Sequence, residues 1–155
     1  DPAMKVLPDL TPTTGSAGHG FTLSRGLIGF RDHTRGELLF DPAHLPFLWL
    51  RLAGPGEPLH FIVVEPGGLV PEYELEIFDE DAASLGLADP RDALVLNIVT
   101  LRERDPVEAT VNLIGPIVVN RRTREGRQLV LANYARYSAH HLLVERTAAP
   151  LSITA

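Results

Sequence analysis

DALVLNIVTL (92–101) and ATVNLIGPIVVN (109–120) decide the fold. Both runs are dense in Val, Ile and Leu, which suit a pleated surface. The charged loop RERDPVE lies between them, so the chain turns back near Asp105 and the two runs form a hairpin. That hairpin places Asn97 opposite Asn112, where two amides can bond each other across a ladder. A second hairpin follows at once in PIVVNRRTREGRQLVL (116–131). Its turn is basic, with Arg121, Arg122, Arg124 and Arg127 relieved by Glu125.

Outward from these hairpins, short apolar runs alternate with turn signals. Further strands are expected near 21–24, 37–41, 46–52, 59–65, 72–78 and 140–145. RGLIGF, AGPGEP and EPGG punctuate them. Many short, closely spaced strands predict a mainly β chain, an antiparallel β-barrel-like single domain with one or two short helices. The helix is expected to start at Asp79 as cap, with Glu80 and Asp81 at its positive end, and to stop at a left-handed Gly86. Residues 1–20 form a flexible leader rich in Pro, Gly, Thr and Ser, with Met4 as native start and Asp1–Ala3 as a vector-derived remnant. The domain spans 21–146, and 147–155 form a loose C-terminal tail.

Composition narrows the function. The 155 residues carry a net charge of −6, which repels nucleic-acid phosphates and argues against direct nucleic-acid binding. Arginine supplies thirteen of the fourteen basic residues, dispersed among loops. The absence of cysteine excludes disulfides, thiolate zinc sites and thiol catalysis, and fits a cytoplasmic location. No apolar run approaches the roughly 18 residues that would span a bilayer, and no signal peptide is visible.

Catalytic constellations are not apparent. The histidines (His19, His33, His44, His60, His140, His141) make no metal-binding spacing, and no GxSxG elbow occurs. The expectation is therefore no enzyme, no metal and no cofactor. The acidic run PEYELEIFDED (71–81) remains. Asp79, Glu80 and Asp81 have a helix start as their reason. Glu72, Glu74 and Glu76 alternate with Tyr73, Leu75 and Ile77, which puts the glutamates on the solvent face of a half-buried strand. At a spacing of roughly 6.6–6.8 Å, each neighbouring pair repels by only about 0.6 kcal/mol in water. The row can thus protect a sheet edge or present a negative patch to a basic partner. PFLWL (46–50) offers Phe47 and Trp49, sent to one face by alternation, either as core or as an apolar contact surface.

Taken in order, GLIGF (26–30), PFLWL, PEYELEI (71–77), DALVLNIVTL, ATVNLIGPIVVN and GRQLVL (126–131) resemble the flagellar assembly factor FliW family. VLNIVTL followed by ATVNLIGPIVVN is the specific part, and the likeness runs from Phe21 to Leu143. The resemblance implies a β-barrel-like fold, no catalysis, and action by binding as a monomer. Its implied partners are the carbon storage regulator CsrA, a small RNA-binding protein that represses flagellin translation, and flagellin itself. Glu72, Glu74, Glu76 and Asp79 are the candidate contacts for the regulator, Phe47 and Trp49 for flagellin. The alternative from another class is a small flavin-binding split-barrel enzyme, for which no phosphate-cradling loop is seen.

Overall fold

In a computed structural model, which describes residues 3–9, 20–105 and 107–143, the first quoted run becomes the longest strand, β7 (Ala93–Arg102). Its run of apolar side chains is explained by burial on both faces. Leu94 and Leu96 enter one core cluster, Val95 and Val99 the other. The second run breaks into β8 (Glu108–Val111) and β9 (Ile117–Asn120), both antiparallel to β7. Val99 pairs with Val111, so an unbroken ladder would set Leu96 against Ile114; Leu96 instead meets Ile117, a slip of three residues.

The expected Asn97–Asn112 amide pair does not form, because the β7–β8 ladder, extended, sets Asn97 against position 113 and Asn112 against Ile98. The Asn112 side chain closes its own turn, with Oδ1 accepting from the Ile114 and Gly115 amides at 3.0 Å each. Asn97, fully buried, donates to the Asn112 carbonyl at 2.9 Å and to the Tyr73 hydroxyl at 3.1 Å.

The remaining barrel strands are β2 (Gly20–Leu23), β3 (Arg35–Leu39), β4 (Leu48–Ala53), β5 (Leu59–Val64) and β10 (Glu125–Gln128). The order β7-β5-β4-β3-β2-β10-β9 closes through β9–β7 into a seven-stranded barrel. Among the described residues every strand pairing is antiparallel except β10–β2, which is parallel. β11 (His141–Leu142) extends the sheet beside β8. Leu23, Leu38, Leu50, Leu52, Leu96, Ile117 and Val119 fill the interior.

A second layer covers part of the barrel's outside. Its sheet pairs β6 (Leu75–Phe78) with β1 (Ala3–Val6), followed by helix α1 (Asp79–Ser84). Tyr73, Leu75, Ile77 and Val6 pack there against Val64, Val95, Val99 and Val118 from the barrel's outer face. β1 departs from the expected leader: residues 3–6 are an ordered strand, with Val6 1% exposed. A four-residue strand with one fully buried side chain leaves too little periodicity to register in the sequence. Positions 1–2 and 10–19 of the expected leader and the expected tail lie outside the described residues, as do positions 144–145 of the last expected strand.

Candidate functional site

The acidic segment runs along the outside of the second layer. Tyr73, Leu75 and Ile77 point into the core at 3%, 0% and 1% exposure, and Glu74 and Glu76 between them are half-buried. Glu72 is exposed but precedes the strand, in a turn with φ 61°. Left-handed backbone is uncommon for a residue with a Cβ, so the turn itself aims this side chain. Asp79 and Glu80 continue the row as exposed residues of the first turn of α1, and Asp81 is half-buried there.

Asp79 is not the helix cap. Phe78, the last residue of β6, occupies that place and makes no side-chain cap bond, because the chain passes from strand to helix without a polar linker. The three acids still face the positive end of the helix. The other end matches the expectation, with Gly86 left-handed at φ 67°. Sequence reading missed the residue that seals it. Buried Asn120 donates to the Leu85 and Gly86 carbonyls at 2.9 and 3.2 Å, while its Oδ1 accepts from the Arg122 amide at 2.9 Å. Its only sequence signal is an asparagine closing an otherwise apolar strand.

The acidic row does not guard a free edge. One side of β6 pairs with β1. On the other, Asn133 donates to the Glu74 carbonyl at 2.9 Å and accepts from the Glu76 amide at 3.1 Å, and the Ala132 amide donates to the Glu76 carbonyl at 2.7 Å. Tyr137 accepts from the Glu74 amide at 3.0 Å and stacks edge-on against Tyr73 at 5.0 Å. Tyr73 in turn donates to the Leu113 carbonyl at 2.6 Å. Burial pushes the Tyr73 phenol well above its usual range, against the opposing hydrogen bond from Asn97. The glutamates thus stand on a backbone braced from both sides. Lys5, the chain's lone lysine, reaches Glu74 at 3.4 Å.

Phe47 and Trp49 part company. Leu48, Leu50 and Leu52 face the barrel interior, so both aromatics take the outer face. The second layer covers Phe47, leaving it 5% exposed in the core. Trp49 stays half-buried, flanked by Leu39 (38% exposed) and Ile62 on the neighbouring strands. In the basic turn, Arg121 reaches Asp9 at 2.7 Å, Arg122 reaches Asp92 at 3.9 Å, and Arg127 reaches Asp81 at 3.4 Å and the Ser84 hydroxyl at 2.6 Å. Arg127, on β10, therefore ties helix α1 to the barrel.

Among the described residues, no group of His, Asp and Glu is arranged to hold a metal ion. Nor is any helix among them long and apolar enough to cross a membrane. What the geometry defines is a small closed β-barrel whose chemistry lies on charged outer surfaces. Residues 11–143 match the family model described as FliW protein. The flagellar assembly factor FliW of Natranaerobius thermophilus is 36% identical over 122 residues, covering 79% of this chain and 80% of that protein. The FliW of Treponema pallidum is 35% identical over 125 residues, covering 80% and 81%. A crystal structure of the flagellar assembly factor FliW superposes with a TM-score of 0.70 at 28% identity, covering 83% of this chain and 88% of that one. The chain belongs to the FliW family of flagellar assembly factors.

Proposed function

We propose that this protein acts in the cytoplasm, without catalysis, by binding CsrA through its acidic strand and flagellin through an apolar surface. Binding of the regulator relieves its repression of flagellin translation, and flagellin competes for the factor until it is exported. The observation that carries the reading is the carboxylate row of Glu74 and Glu76, extended by Glu72 in the preceding turn and Asp79 in the first turn of α1, on a segment fixed along both edges. A fixed row loses little freedom when it docks, so its charge is spent on the partner. An RNA-binding protein is basic where its RNA runs. A carboxylate row docked within about 8 Å of that path repels the phosphates at physiological salt. A coupling of about 1–3 kcal/mol weakens RNA binding roughly 5- to 150-fold, enough for a switch that leaves the RNA site uncovered.

The test is a triple variant, Glu72→Gln, Glu74→Gln and Glu76→Gln, titrated against CsrA and labelled flagellin leader RNA. A folded variant is expected to lose most of its antagonism; full antagonism would overturn the reading. For flagellin, Trp49 with Leu39 is the proposed contact, and Phe47, covered by the second layer, drops out of it. Tryptophan emission that shifts to the blue on adding flagellin supports this surface, and emission unmoved by saturating flagellin rejects it.

A further inference from the structure

The acidic strand has a counterpart in arginines that neither proposed partner surface uses. Arg35 on β3, Arg51 on β4 and Arg124 in the β9–β10 turn line an open depression of about 500 Å³ on the outer face of the barrel. Strand register sets its floor. Thr22, Arg35 and Ala53 lie side by side across β2, β3 and β4, and Gly20, Glu37 and Arg51 form the next row. Gly20, Thr22 and Ala53 are small, so the arginine stems stand clear of the surface between them.

The lining carries three arginines and one glutamate, +2 on a chain of net −6, with exposed Glu125 bordering it beyond Thr22 in the Arg35 row. Among the described residues, Glu37 pairs with Arg51 alone, at 4.0 Å with both side chains about half exposed, and a pair of that kind holds its partner weakly. Arg35 and Arg124 make no ion pair among the described residues. Arg124 is nonetheless fixed at its backbone. It sits at φ 65°, its amide donates to the Asn120 carbonyl at 2.8 Å, and its carbonyl accepts from the Thr22 amide at 2.9 Å. Its guanidinium therefore projects from a set point beside β2.

The geometry points to a docking surface for an extended acidic segment of a protein partner. The arginines form a line across the strands, with backbone origins about 7–10 Å apart by strand spacing and diagonal register. Alternate side chains of an extended peptide are about 6.6–6.8 Å apart, close to that interval. A single phosphate would need the three guanidiniums to converge and would meet Glu37 at close range. Spaced carboxylates can take Arg35 and Arg124 and leave Glu37 to Arg51. Net negative charge over the whole chain turns away a long nucleic-acid backbone.

A fluorescein-labelled peptide alternating glutamate and serine, followed by anisotropy at low salt, tests the surface on the full chain. Wild type is expected to bind, with affinity falling steeply as salt rises. Arg35→Gln with Arg124→Gln should weaken binding by about tenfold or more. Arg35→Gln alone, on an exposed strand position, should weaken it about threefold and covers the case in which the double variant misfolds. Arg104→Gln, which breaks an exposed pair with Glu108, should leave it within about twofold. The proposal fails if wild type does not bind, or if Arg104→Gln costs as much as the double variant. It also fails if pyrophosphate or a short single-stranded RNA displaces the probe better than the unlabelled peptide does.

Discussion

Tyr73 shows how one side chain can serve both packing and the acidic face. Its ring is buried between the layers, its hydroxyl donates to Leu113 and accepts from Asn97, and Tyr137 stacks on it beneath the glutamates. Tyr73→Phe keeps the ring but leaves the Leu113 carbonyl and the Asn97 amide short of a partner, at a cost of about 1–3 kcal/mol in urea unfolding. The tyrosine also has a pH signature. Its folded pKa is raised, so above an unfolded value of about 10 the unfolded state holds fewer protons and stability falls as pH climbs. Below that pH the contribution is complete. Unfolding curves from pH 8 upward should show this alkaline loss in wild type, and Tyr73→Phe should flatten it. Lys5 offers the opposite kind of residue: an exposed cation against Glu74. Lys5→Gln should change stability by under about 1 kcal/mol, since such pairs contribute little. It should strengthen CsrA binding at low salt, measured by calorimetry, because the row is then unrelieved. Inward Tyr73, Leu75 and Ile77 with Glu74 and Glu76 between them were legible from alternation; the left-handed turn that aims Glu72 was not. Lys5 as their neighbour was not, because β1 pairs across some seventy residues of chain.

At the scale of elements, the long strand and the turns were legible because each carries a local signal: apolar density in β7, glycine at the end of α1, polar clusters between strands. The register slip after Asn112 was hidden because a side chain bonding its own turn overrides the ladder. Two glycines show how differently one backbone requirement can be enforced. Gly86 is left-handed with open room, since a Cβ there would meet only the Asn120 side chain at 3.7 Å. Gly86→Ala should cost about 1–2 kcal/mol, the conformational penalty alone. Gly26, in the tight turn before Leu27, is left-handed too, but its Cβ would lie 2.2 Å from the Phe30 carbonyl oxygen. Gly26→Ala must therefore rebuild the turn and should lower the urea midpoint far more than Gly86→Ala. Equal midpoints would show that the 26–30 turn yields easily.

For the whole molecule, the ring of strands was foreseeable and the layering was not. Continuous apolar runs say that a strand is buried on both faces without saying what covers the outer one. Here the cover is β6 with α1, held from one side by β1 and from the other by the 132–137 segment. The closed ring does not include β1, which implies two regions of unequal stability. A chain starting at Pro8 tests this. It loses the β1 ladder and the burial of Val6, about 1.5–3 kcal/mol from that side chain alone. Amides along β6 should then exchange much faster with solvent, while those of β4 and β7 inside the ring keep their protection. CsrA binding should weaken with the glutamates unchanged, because the row has lost one of its two braces. Uniform loss of protection would instead mean that barrel and cover form one cooperative unit, in which the strand from the chain's beginning supports every other.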